Sequence, residues 1–232
     1  MKIYWIRAQA PRRVLALVKH LGIGAELVEI DAAAGGLRAP GYVALNPNMK
    51  APTLVDGDTV LWESSAIMAY LCARSGSDMW PAGDAAAQVE VLRWLSWNDC
   101  HWAPSVGPFY FQHIAKRTFN VGPPDRASLK AAVPDLLRYG KVLDGHLSGR
   151  NHVACGRLTI ADFQLASMAA DWREAEMPLQ GFADVTRWLA GLMQIPAWAD
   201  PWPPLLTPTP PALRRGPRPT SSPAHTSPAP RA

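Results

Sequence analysis

Two short clusters in the first third of the chain have the residue types and spacing to hold a charged small molecule. The first is Lys50-Ala51-Pro52-Thr53-Leu54. A proline entering a strand cannot donate to the ladder, so it stands at the strand's start or in a cis turn. A cis bond would turn the Ala51 backbone outward, where an extended peptide ligand could pair with it as an added strand. The second cluster is Glu63-Ser64-Ser65-Ala66-Ile67. Ser64 stands where a helix N-cap is expected, and free amides plus the helix dipole there attract an anion such as a carboxylate. Glu63 beside it can accept from an ammonium group. Together they suit the two charges of an α-amino-acid head. Each also has an ordinary structural explanation, as a strand start and as a helix cap.

The elements that must position these clusters can be read from periodicity. Lys2–Ile6 is a short apolar strand. Pro11 suits the first turn of a helix, in which Val14, Leu17, Val18 and Leu21 fall at i, i+3, i+4 and i+7. Gly22 and Gly24 stop it. Glu26–Asp31 reads as a second strand, and a short helical piece around Gly41–Leu45 ends at Asn46-Pro47. Thr53–Val55 and Thr59–Trp62 flank Asp56-Gly57-Asp58, a strong hairpin signal. That hairpin brings the two clusters together. A helix with Ile67, Tyr70 and Leu71 on one face follows.

Beyond a polar Gly/Pro linker at residues 75–84, the chain reads as helical to about Trp198. Val91, Trp94, Leu95 and Trp102 mark a long first helix, and residues 126–147 a second. Thr159 with Asp162 three residues later forms a capping box that opens a third. Asp184–Met193 gives a fourth. From Pro201 onward, eleven of the last 32 residues are proline. That composition cannot offset its ordering entropy, so residues 201–232 are expected to be a disordered tail.

Charge and cysteine usage narrow the function classes. The chain has 232 residues and a net charge of +4. Arg214, Arg215, Arg218 and Arg231 supply the whole excess, so residues 1–200 are formally neutral and nucleic-acid binding is not expected. No apolar run is long enough for a bilayer, and no leader precedes the first strand. Cys72, Cys100 and Cys155 are scattered and odd in number, against a disulfide framework or a zinc site. A cytoplasmic protein without membrane or metal is the expectation.

The run Asn46-Pro47-Asn48-Met49-Lys50-Ala51-Pro52-Thr53-Leu54-Val55-Asp56-Gly57-Asp58 is followed by Leu61, Glu63-Ser64, Ala66-Ile67 and Tyr70-Leu71. This pattern resembles the N-terminal domain of soluble glutathione transferases. Leu158-Thr159-Ile160-Ala161-Asp162 is similar to that family's buried capping box. Arg187-Trp188-Leu189 through Ile195-Pro196-Ala197-Trp198 resembles its last helix. The resemblance covers about residues 1–198. It implies an α/β thioredoxin-like domain over residues 1–74, ordered βαβ then ββα, and an all-α helical-bundle domain over residues 85–198. It also implies a homodimer, a detoxifying role, and glutathione as co-substrate. By the same likeness Glu63 and Ser64 hold the γ-glutamyl end, Ala51 and cis Pro52 pair with the cysteine, and Lys50 lies toward the glycine carboxylate.

One position departs from the family's pattern. Such enzymes activate the glutathione thiol with a hydroxyl or thiol near the end of the first strand, and Ala8 stands at the usual serine position. No Ser, Thr, Cys or Tyr occurs from Ile6 to Arg13. Tyr4, the backbone amides near Gln9–Arg12 and the Arg12 guanidinium are the remaining candidates, although Arg12 and Arg13 read first as a solvated helix face. Trp97, His101 and Trp102 lie where the family borders its co-substrate pocket, and their aromatic richness favours a flat apolar electrophile. The expected reaction is attack of the glutathione thiolate on such a compound. Its rivals are glutathione-dependent reduction or isomerisation, and a binding protein that lost its thiol activator.

Overall fold

The computed structural model describes residues 1–204. The first part is a four-stranded mixed sheet with helices: β1 (Lys2–Trp5), α1 (Gln9–His20), β2 (Glu26–Glu29), α2 (Pro40–Leu45), β3 (Thr53–Asp56), β4 (Thr59–Trp62) and α3 (Ser64–Ser75). The strand order is β2-β1-β3-β4. β1 runs parallel to β2 and antiparallel to β3, with Tyr4 opposite Thr53. Asp56 faces Thr59 across a two-residue turn, where Gly57 takes the φ of +59° that a tight hairpin requires. This is the thioredoxin-like domain that the sequence implies.

The second part is helical: α4 (Ala85–Trp97), α5 (Ala103–Tyr110), α6 (Lys116–Phe119), α7 (Arg126–Leu147), α8 (Ile160–Ala169), α9 (Ala183–Leu192) and α10 (Pro196–Ala199). The expected long first helix is interrupted. Wide five-residue turns at Asn98–Trp102 and Phe111–Ala115 flank α5. Pro104 and Pro108 lack the N–H that a regular ladder needs, and the wide turns flank the stretch that holds them.

Helix α8 is buried along its whole length. The expected capping box opens it: the Thr159 amide and hydroxyl both donate to Asp162. The same buried carboxylate accepts from the Val153 amide at 3.0 Å and from Trp188 Nε1 at 3.1 Å. Burial pushes the Asp162 pKa up, and those donors pull it back.

Helix α1 corrects one expectation. Pro11 through Val18 are all buried, Arg12 and Arg13 included. Helices α8 and α10 pack on α1, so its polar side faces protein rather than solvent. Arg12 donates to the Trp198 carbonyl at 2.9 Å, and Arg13 to the Gln164 carbonyl at 3.3 Å. A second correction concerns α3: Ser64 is its first helical residue, and the N-cap is Glu63 at φ +68°. The start of the expected tail is also more ordered than its composition suggests. Pro201 is buried, and the Trp202 ring lies 5.8 Å from that of Trp5. Residues 205–232 lie outside the described residues.

Candidate functional site

The loop before β3 is held by one buried side chain. Asn46 donates to the Lys50 carbonyl at 2.8 Å and to Thr53 Oγ1 at 3.0 Å, and its own oxygen accepts from the Asn48 amide. Tyr42 on α2 adds hydrogen bonds to the same carbonyl and the same hydroxyl. These contacts fix Lys50 and deliver Pro52 to the strand through a cis Ala51-Pro52 bond. Neither the N–H nor the C=O of Ala51 has a backbone partner among the described residues. It is therefore open to an added strand.

Lys50, Ala51, Pro52, Glu63 and Ser64 line one cavity of about 210 Å³, shared with Ala10, Arg13, Asn46, Asn48, Asp99 and Gln164. The hairpin thus joins the two clusters as expected. Ser64 is buried, yet its hydroxyl caps nothing: α3 has no side-chain cap, and its first amides stay free. The ordinary explanation of this serine as a helix cap therefore fails. Glu63 holds a backbone conformation that costs a non-glycine residue on the order of 1–3 kcal/mol, and such strain gathers where function demands it.

Sequence reasoning missed Arg13, Asp99 and Gln164, which come from α1, the wide turn after α4, and α8. Arg13 is only 6% exposed, and its Nε has no partner. Burial pushes its pKa down to about 10, against the pull of Asp99 and Glu63. Gln164 donates to Asp99 at 3.0 Å, while its own Oε1 is buried without a partner. The cavity thus sets donors without partners (Arg13 Nε and the α3 amides) beside a buried acceptor without one (Gln164 Oε1) and the carboxylates of Glu63 and Asp99. A zwitterionic head group matches that arrangement.

On the other side of the α1 N-terminus lies a cavity of about 250 Å³, with Ala8, Gln9, Arg12, Tyr110, Arg117, Asp171 and Trp202 among its walls. Ala8 is the N-cap of α1 and offers no side-chain bond. Pro11 has no N–H, and the Arg12 amide is spent on the Ala8 carbonyl. That leaves the amides of Gln9 and Ala10 free at the helix start. Arg12 is 8% exposed, its Nε is without a partner, and its ring contact is with Trp198 at 5.1 Å. Tyr4 lines neither cavity and sets its ring edge-on to Tyr42.

Trp97, His101 and Trp102 lie on neither wall. Trp102 is wholly buried and donates to the Leu165 carbonyl at 3.1 Å. Trp97 stacks on it at 6.2 Å, and His101 stacks on Tyr139 at 4.9 Å. Trp102 is core, while Trp97 and His101 are half-buried and pack against Trp102 and against Tyr139 of α7. Trp202, in the proline-rich stretch, supplies an aromatic wall beside Ala8, and a lone tryptophan among prolines carries no periodic signal to reveal that.

A thioredoxin-like sheet with a polar cleft at its cis-proline, followed by a helical bundle, defines a two-part glutathione transferase fold. Residues 1–73 match the family description "Glutathione S-transferase, N-terminal domain". The chain is 34% identical over 161 residues to glutathione S-transferase 3 of Zea mays, covering 68% of this chain and 71% of that protein. The theta-class glutathione S-transferase of Xanthomonas axonopodis pv. citri, solved with glutathione bound, is similar with a TM-score of 0.75 and 29% identity. That match covers 85% of this chain and 94% of that one. Glutathione transferase F7 of Populus trichocarpa shares the fold with a TM-score of 0.78 at 22% identity, over 85% of this chain and 95% of its own. The chain belongs to the glutathione S-transferase family. Among the described residues, no helix is long and apolar enough to cross a membrane.

Proposed function

We propose that the protein catalyses attack of the glutathione thiolate on an electrophilic compound, with glutathione laid along the cis-proline loop. The observation that carries this reading is the convergence of Lys50, Ala51, Pro52, Glu63 and Ser64 on one cavity in which Arg13 Nε and Gln164 Oε1 are buried without partners. The γ-glutamyl carboxylate meets Ser64 and the free α3 amides, and Arg13 adds charge. The ammonium meets Glu63, Asp99 and Gln164 Oε1. The cysteine backbone pairs with Ala51, and Lys50 faces the glycine carboxylate. The sulfur then points past Ala10 toward Ala8.

No hydroxyl stands at Ala8, so charge and helix amides take the place of a hydroxyl donor. The Gln9 and Ala10 amides and the Arg12 guanidinium favour the thiolate over the thiol, which lowers its pKa. The thiol proton leaves to solvent, the sulfur forms a bond to the electrophilic carbon, and the leaving group departs with its electron pair. The setting is a cytoplasmic homodimer in electrophile detoxification. Val89 and Leu92 on α4, and Val60 and Trp62 on one face of β4, are large apolar side chains left exposed for a second copy to cover.

The test is steady-state turnover of an aryl halide as a function of pH. Arg12→Gln should move the acidic limb of kcat/KM to higher pH with little change in glutathione affinity, and Arg12→Lys should restore part of the shift. A glutathione-binding protein that turns over no electrophile at any pH would refute the enzyme reading.

A further inference from the structure

The cavity beside Ala8 is not the apolar slot that an apolar electrophile would want. Three arginines, Arg7, Arg12 and Arg117, line it, against two acids, Asp171 and Glu174. Arg12 and Asp171 attract and offset each other: each is the main charge that counters the other's burial. That leaves Arg7 and Arg117 against Glu174. Neither arginine has an ion pair or a hydrogen bond to a carboxylate among the described residues. Residues 205–232 hold no Asp or Glu that could supply one. Arg7 is nonetheless held in place, with its guanidinium 4.7 Å over the Trp202 ring.

The cavity opens into a second, wider groove of about 510 Å³ that shares Arg7 and Thr118 with it. The walls of that groove include Ile6, Ile30, Ala32, Ala33 and Phe119, together with the acids Glu29 and Asp31. Phe119 is half exposed, so the groove presents an aromatic face to whatever enters. The co-substrate space therefore has a cationic end at Arg7 and Arg117 and a groove of mixed apolar and acidic lining, joined at Arg7; a ligand carboxylate is attracted to the first and repelled by Glu29 and Asp31 in the second.

We propose that the electrophile this protein takes carries a carboxylate, held by Arg7 and Arg117, with its apolar body in the groove of Ile6, Ile30 and Phe119. The inference rests on the glutathione reading above and names the substrate class for the same site. A carboxylate between two guanidinium groups gains charge-assisted hydrogen bonds that a neutral analogue cannot make. A wholly apolar electrophile would instead leave both cations partly desolvated with nothing in return.

The test is calorimetric titration with three ligands: glutathione, its para-carboxy dinitrophenyl adduct, and the methyl ester of that adduct. The wild-type protein should bind the acid adduct about tenfold more tightly than the ester, the scale of one charge-assisted hydrogen bond. Added salt should shrink the ratio. Arg117→Gln, at an exposed side chain with no hydrogen bond or ion pair among the described residues, should lower the ratio, and Arg7→Gln/Arg117→Gln should bring it near one with glutathione affinity unchanged. Equal affinity of acid and ester in the wild type, or a ratio that survives the double substitution, overturns the charge preference alone. Failure of all three ligands to bind overturns the glutathione reading, and this inference with it.

Discussion

Ser64→Ala separates a binding role from a folding role with unusual clarity in this protein. A serine that caps a helix loses about 0.5–2 kcal/mol of stability when truncated. The Ser64 hydroxyl caps nothing, because α3 starts at Ser64 with Glu63 as N-cap and no side-chain bond. Its loss therefore removes no internal hydrogen bond, and alanine's better helix propensity returns up to about 0.5 kcal/mol. Stability should stay within about 0.5 kcal/mol of the wild type. The bond from this hydroxyl to a ligand carboxylate is charge-assisted and buried, worth on the order of 1.5–3 kcal/mol. Glutathione affinity should thus fall about ten- to 150-fold. Urea denaturation reads the first quantity and titration calorimetry the second. Unchanged affinity in a folded Ser64→Ala protein would refute the assignment, and a large drop in stability with the affinity retained would make Ser64 a structural residue.

Three further outcomes follow from the packing. Asp162→Ala leaves the Val153 amide, the Thr159 amide and Trp188 Nε1 without their buried acceptor; a loss of about 3 kcal/mol or more is expected as a fall in urea midpoint. His146 has its pKa lowered by burial, against the pull of its bond to the Val153 carbonyl. The unfolded chain therefore binds a proton at this site more readily, so stability falls as pH drops through the unfolded value near 6.5. His146→Gln should show a shallower loss of melting temperature between pH 7 and 5.5 than the wild type. Removing Pro201–Ala232 strips the buried Pro201 and the Trp202 ring from Trp5 and should lower the melting temperature by several degrees, whereas removing only residues 205–232 leaves those contacts in place.

What the sequence disclosed and what it hid divide along one physical line. The cis-proline loop, the hairpin at Gly57 and the Thr159–Asp162 box are set by interactions within a few residues, so local rules find them. The burial of Arg12 and Arg13 depends on α8 and α10, more than 150 positions away along the chain. A window over α1 sees an arginine pair and places it in water. Arg13, Asp99 and Gln164 converge from three separate elements, and no spacing rule announces that. Trp94, Trp97 and His101 fall at helical spacing, and periodicity alone cannot tell a core face from a pocket wall. An arginine doublet between the apolar faces of a helix was the one available sign that something polar had to lie inside.

Whether the protein activates glutathione without a hydroxyl at Ala8 is decided by the thiol pKa of the bound tripeptide, read by ultraviolet difference titration of thiolate absorbance. With the Gln9 and Ala10 amides and Arg12 at the sulfur, the bound thiol should titrate clearly below the ordinary cysteine value of about 8.5, and Arg12→Gln should move it back toward that value. A bound thiol that titrates like free glutathione, in wild type and variant alike, would contradict the account and leave a glutathione-binding protein without its chemistry.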